Sequence, residues 1–266
     1  MQVLDLSVTI ILFIVGCFLG KCIMNYHDTW FAFNGPALAV LVIGEMVWWG
    51  VKKILCGRTK QMAVIHELAT KDSDYIKEIA DLHKRAFPSF FLTQLGVPFL
   101  KTLYSGYMED KDSGIIVAEE KEKLIGFLAY SNDYSRFYKG LIKNHLMKFA
   151  FCSIGAAIRH PSFIKRLLGA FKKSESVVKT ERYVELASIC VDPEIESKGV
   201  GSALINYLKA IVDYDKFAYI NLETDADGNE SVNKFYVKNG FKLEREYVTA
   251  EGRRMNEYRF APGEKR

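Results

Sequence analysis

Between residues 182 and 212 the chain passes from a β-branched, apolar run, "RYVELASICV", through "DPEIESKGVGS", into a segment whose apolar positions recur at helical spacing: Ala203, Leu204, Leu208, Ile211 and Val212. The succession dictates a strand, a glycine loop and a helix. Gly199 and Gly201 let backbone amides crowd together at the helix start, where unpaired N–H groups and the macrodipole attract a phosphate or pyrophosphate. A lone pair of glycines also makes an ordinary tight turn, so the neighbouring elements decide between the two.

Downstream, "FAYINLETD" reads as a second buried strand, "NESVNKFYVKNGF" as a short helix closing at Gly240, and "KLEREYVTAEGRRMNEYRF" as a final hairpin of two strands. Upstream, from about Met62, "MAVIHELA" alternates like a strand. "DSDYIKEIADLHKRAF" is a helix with Asp72 or Ser73 as its N-cap, and "QLGVPFLKTLYSGYM" is another. "SGIIVAEE" and "LIGFLAYS", separated by "KEK", suit two antiparallel strands with a charged turn. With 266 residues, 49% of them hydrophobic, the chain holds one domain or two small ones. The fold class expected is α+β, an α/β mixed sheet over residues 61–266.

This order of elements resembles the GNAT superfamily of acetyl-CoA-dependent N-acetyltransferases over roughly residues 62–260, most strongly over 183–241. The family's loop signature, Arg or Gln, two residues, Gly, one residue, then Gly or Ala, is met by Glu196, Ser197, Lys198, Gly199, Val200 and Gly201. Its second signature is met by Asn229, Phe235, Tyr236, Gly240 and Phe241. Glu196 departs from the pattern: a carboxylate near a pyrophosphate weakens binding unless it turns away, and Lys198 is placed to offset it. The segment "HKRAFPSFFLTQLGVPFLKTLY" looks like the front of family members tied to surface-polysaccharide biosynthesis.

The resemblance implies direct acetyl transfer from acetyl-CoA to an amine, an amino sugar or other small-molecule acceptor, without metal or covalent enzyme intermediate. It implies cofactor contacts from Lys198, Gly199, Val200, Gly201 and Ser202, and from the backbone of Ile189, Cys190 and Val191, pairing with pantetheine as an added strand would. Tyr236 matches the tyrosine that protonates the departing sulfur; otherwise it is an aromatic packed beside Phe235. Glu185 matches a strand position where relatives hold a glutamate acting as a base through water; otherwise it pairs with Arg182 or Lys179. Asn229 contacts the pantetheine arm or caps the short helix. Cys190, inside a strand with no matched base, reads as core. A non-catalytic CoA- or metabolite-binding sensor or adaptor at the membrane is the alternative, with Glu196 as its hint.

Two further regions stand apart. Uncharged runs at 6–20 and 29–44, extended by one charge each to 6–26 and 30–51, are long enough to cross about 30 Å of hydrocarbon. They read as a two-helix transmembrane hairpin within residues 1–60. Trp30, Trp48 and Trp49, all the tryptophans, mark the ends of the second run, and Lys52, Lys53, Arg58 and Lys60 follow it, which keeps the catalytic region in the cytoplasm. Residues 131–180 carry ten Lys or Arg against Asp133 and Glu175, a net +8 within a chain of net +4. There Leu141, Ile142, His145, Leu146 and Phe149 mark one helix, and Pro161, Phe163, Ile164, Leu167, Leu168 and Phe171 a second. This basic pair is a solvated face, a surface for anionic headgroups, or a seat for an anionic or lipid-linked acceptor. The mild overall charge argues against nucleic acid. Cys17, Cys22, Cys56, Cys152 and Cys190 have neither CxxC pairing nor metal-ligand spacing with the histidines.

Overall fold

Val64–Glu67 (β1), Ser113–Glu120 (β2), Lys123–Ser131 (β3), Tyr183–Val191 (β4), Tyr219–Asp225 (β5), Lys242–Val248 (β6) and Arg254–Phe260 (β7) pair into a sheet ordered β1-β2-β3-β4-β5-β7-β6. Only the β4–β5 pair is parallel; the others are antiparallel. The computed structural model describes residues 46, 63–69, 72–159 (side chains through 152), 181–195, 199–249 and 252–263. Apart from Met46 these belong to the second of two compact units, Met1–Met62 and Ala63–Arg266. The expected transmembrane hairpin lies outside the described residues, among which no helix is long and apolar enough to cross a membrane.

The helices follow the sequence periodicities: Ser73–Ala86 (α1), Phe91–Gln94 (α2), Val97–Glu109 (α3), Tyr134–Arg159 (α4), Val200–Ile211 (α5) and Glu230–Lys238 (α6). Asp72, rather than Ser73, caps α1, its carboxylate accepting from the Asp74 amide at 2.9 Å. Strand alternation sends Val117, Phe127 and Ala129 to one face, under Ile76, Leu82, Leu100, Tyr104 and Leu141. It sends Ile116, Leu128, Ile220 and Leu222 to the other, under Leu204, Leu208 and Tyr236. Helices α1, α3 and α4 thus cover one side, α5 and α6 the opposite one.

Two details differ from expectation. The turn between β2 and β3 uses two residues, not three: Lys121 and Glu122 both take positive φ, 54° and 61°, so that Glu120 faces Lys123 as a twisted hairpin requires. Helix α4 buries Phe137, Leu141, His145 and Phe149 against α3, with Phe149 at 4.6 Å from Phe99 and Phe137 at 4.3 Å from Tyr107 between ring centroids. Leu146, expected on that side, is exposed. The helix expected from Pro161 lies outside the described residues.

Candidate active site

Strands β4 and β5 pair only through Tyr183↔Tyr219, Val184↔Ile220 and Glu185↔Asn221. Beyond that point β4 runs on to Val191 and β5 to Asp225, without partnering each other. Strand β5 keeps β7 along its other edge throughout, and β4 keeps β3. The sheet therefore forks, and residues 186–191 present a free backbone edge of the kind that accepts an extended amide-bearing ligand.

A bulge shapes that edge. Ala129 faces Ser188 while Tyr130 faces Leu186, so Ala187 is an extra residue on β4. The bulge inverts the alternation: Ala187 and Cys190 both pack on the α1–α3 side, while Leu186, Ile189 and Val191 pack on the α5–α6 side. Cys190 is buried, and burial pushes its thiol far above the ordinary range.

Directly after β4, Asp192 turns the chain toward α5. Burial alone would raise its carboxyl, yet the Glu194 amide at 3.0 Å and Arg85 Nη2 at 3.0 Å hold it below its ordinary value. Glu196 and Lys198 lie outside the described residues. Gly199 is the N-cap of α5 in the left-handed region, φ 81°, with no side chain to cap the helix. The first intrahelical bond runs from the Ala203 amide to the Gly199 carbonyl at 2.9 Å, so the amides of Val200, Gly201 and Ser202 have no intrahelical acceptor. A Cβ on Gly199 would meet nothing within 4 Å, whereas one on Gly201 would come 3.1 Å from Phe235 Cζ. The two glycines thus do different work: Gly199 supplies a backbone conformation beside open space, and Gly201 lets Phe235 approach the helix. These free amides and the open edge of β4 fit an extended ligand ending in a phosphate.

At the crotch of the fork Glu185 is buried and accepts from Asn221 Nδ2 at 2.8 Å. Of its two expected partners, Arg182 instead lies over the Phe217 ring at 5.1 Å, and Lys179 is outside the described residues. Tyr134, from the first turn of α4, overhangs the same corner; burial, then Tyr138, Glu185 and Glu223, hold its phenol well above the ordinary value. Glu223, two residues beyond Asn221 on the same face of β5, accepts from the Tyr247 hydroxyl at 2.7 Å. The closed end of the fork is clamped by Tyr183 stacked on Tyr219, 5.6 Å between centroids and 4° from parallel, with Arg259 at 4.4 Å over Tyr219.

Tyr236 projects from α6 into the aromatic set of Phe235, Phe241 and Tyr258. Its hydroxyl bonds no described residue, and burial raises its phenol above the ordinary value. Asn229 occupies the N-cap position of α6 but makes no side-chain cap bond, correcting that expectation. Its amide donates to Thr224 Oγ1 at 2.8 Å and to the Asp225 carbonyl at 3.1 Å, tying the helix to the end of β5. Asn233, not singled out in the sequence, is the hub there: it donates to the Asp225 carbonyl at 3.1 Å and accepts from Asn256 and Tyr258, each at 3.0 Å. Among the described residues no group of His, Cys, Asp and Glu could hold a metal ion.

A family model described as the acetyltransferase (GNAT) family matches residues 76–241. No curated protein matches the chain. Among solved structures, the ribosomal-protein-S18-alanine N-acetyltransferase from Escherichia coli is similar at 17% identity, covering 75% of this chain and 94% of that one, with a TM-score of 0.45. The aminoglycoside 6'-N-acetyltransferase from Enterococcus faecium is similar at 14% identity, 74% and 96% coverage and a TM-score of 0.47. An N-acetyltransferase from Staphylococcus aureus Mu50 is similar at 15% identity, 75% and 98% coverage and a TM-score of 0.47.

Proposed function

We propose that this chain, which belongs to the GNAT acetyltransferase family, transfers an acetyl group from acetyl-CoA to an amine seated in the fork between β4 and β5. Acetyl-CoA supplies the activated acetyl thioester; the chain supplies position and proton management. The backbone of Ile189, Cys190 and Val191 holds the pantetheine amides along the free edge of β4. The amides of Gly199, Val200, Gly201 and Ser202 hold the pyrophosphate, with Lys198 beside it, and Asn229 steadies the far wall of the cleft. Glu185, oriented by Asn221 Nδ2, takes the acceptor's proton through water. Tyr236, whose hydroxyl no described residue occupies, gives a proton to the sulfur as it departs.

The observation that carries this reading is the divergence of β4 from β5 immediately beyond Glu185, beside a helix N-terminus with free amides. The acceptor is a small-molecule or lipid-linked amine, and Glu223 and Tyr134 give its seat carboxylate and aromatic character. Apolar runs 6–26 and 30–51 tether the protein to a membrane with the catalytic unit in the cytoplasm, a reading that rests on their length and on the basic residues after them.

The test is thiol release by the detergent-purified full chain from acetyl-CoA across a panel of amines, amino sugars and lipid-linked amino sugars, with each product's mass recorded. Release coupled to a gain of one acetyl group supports transfer. CoA binding without release on any acceptor, or in a cell extract, would return the non-catalytic sensor in its place.

A further inference from the structure

We infer that the outward face of α4 rests on an anionic lipid surface. On a helix turning about 100° per residue, the buried series Phe137, Leu141, His145 and Phe149 defines one side. The opposite side carries Lys139, Lys143, Leu146, Met147 and Phe151. The three apolar residues there are 50%, 66% and 67% exposed, within a turn and a half of one another. A solvated helix face would carry polar groups at these positions, and single exposed apolar residues are ordinary where such a cluster is not.

Charge identifies the occupant. Arg136, at the start of the helix, is neutralised by Asp110 at 2.9 Å and Asp112 at 2.7 Å. Lys139 and Lys143 are exposed and belong to no ion pair among the described residues. A second copy would bring this face against itself or a like-charged neighbour, lysine opposing lysine. The chain's own residues 160–180 add Lys165, Arg166, Lys172, Lys173 and Lys179 against Glu175 alone, so they deepen the positive charge rather than offset it. A nucleic acid would take the lysines but offer nothing to Leu146, Met147 and Phe151. Lipid phosphates above acyl chains match both sets, basic flank and apolar centre, as at an interfacial helix. Met147 follows Tyr134 by 13 residues, about 20 Å along the helix, so the contact leaves the acceptor corner near the headgroups without burying it. The inference is independent of acetyl transfer.

The full chain, reconstituted into vesicles of phosphatidylcholine alone or mixed with phosphatidylglycerol, should be tested with p-benzoylphenylalanine replacing Met147 or Phe151. Replacement of Val237, exposed and apolar on α6, serves as the control. Light should give lipid adducts at positions 147 and 151 in the anionic vesicles and not at 237. Each of Lys139→Gln and Lys143→Gln should lower the yield about fivefold, and ~0.5 M salt should act in the same direction. Unmodified protein should show slower amide exchange over 146–151 in anionic vesicles than in neutral ones, so the outcome does not hang on the substituted chains. Adducts to protein instead of lipid, equal adducts at 237, or exchange indifferent to lipid charge would each overturn the inference.

Discussion

Replacing Gly201 by valine probes the glycine loop, and the geometry changes what the substitution reports. From spacing alone it should exclude a pyrophosphate and leave the fold intact. A Cβ at position 201, however, stands 3.1 Å from Phe235 Cζ, 3.3 Å from Phe235 Cε2 and 3.8 Å from Val191 Cγ2. The new side chain therefore presses on the protein's own aromatic ring. Overpacking of this kind costs about 1–3 kcal/mol, of which better helix propensity returns less than ~1. At about 2–4 °C per kcal/mol for a domain of this size, Gly201→Val should melt roughly 1–10 °C lower, with CoA affinity changed mainly through that loosening. Gly199→Ala is the informative partner. Its methyl meets nothing within 4 Å, while its φ of 81° costs about 1–2 kcal/mol in strain. Stability falls comparably, and the strained residue is the one that begins the helix end facing the proposed pyrophosphate. Losing one charge-assisted bond there, about 1.5–3 kcal/mol, weakens CoA binding roughly tenfold or more. Scanning calorimetry with CoA titration separates the two. A Gly201→Val protein with unchanged Tm and no CoA binding, or a Gly199→Ala protein binding like wild type, would refute the reasoning.

Tyr236→Phe should leave Tm within about 1 °C, since the hydroxyl has no hydrogen-bond partner among the described residues to lose, yet lower turnover by ~10²-fold at little changed acetyl-CoA affinity; wild-type turnover would assign the residue to packing. Burial holds the His83 imidazole down at about 4 against 6.5 unfolded, its Nδ1 lying 2.6 Å from the Tyr104 hydroxyl. The folded state thus favours the neutral ring. That stabilisation is complete above pH 6.5 and fades as pH falls toward 4, by up to about 3 kcal/mol, so urea midpoints should drop over this window and His83→Gln should flatten the drop; parallel pH slopes would count against it. Lys121→Asn with Glu122→Gly should raise stability by roughly 1 kcal/mol, because both positions need positive φ; an unmoved urea midpoint would show the strain to be relaxed already.

The order of elements was legible because it is written locally. Ile76, Ile79 and Leu82 repeat at helical spacing within one helix, and strands such as 113–120 and 183–191 announce themselves by composition. The start of α5 was legible for the same reason. Short helix α2 was not, since four residues carry no period. The bulge at Ala187 was invisible because it is a two-against-one pairing with β3, a relation between residues more than fifty positions apart. Asn221 and Asn233 escaped notice because their partners, Glu185 and Tyr258, lie far along the chain. Asn229 drew attention for its position, but its amide found Thr224 behind it rather than the helix ahead. Leu146 illustrates the limit of period alone: it shares helical spacing with Leu141 and Phe149 without sharing their burial.

The placing of β7 between β5 and β6 bears on how the protein is made. Three residue pairs join β5 to β4, but six join it to β7, so the fork's outer arm is secured chiefly by the strand synthesised after β6. Asp225, which ends β5, precedes Arg254, which starts β7, by 29 residues, about 1.5 to 6 seconds at roughly 5–20 residues per second. During that interval Ile220 and Leu222 sit on a strand with an open edge, the arrangement most prone to pairing with a neighbouring chain. The cleft is thus a late product of biosynthesis, and chaperone demand should peak before β7 emerges rather than while the earlier meander forms.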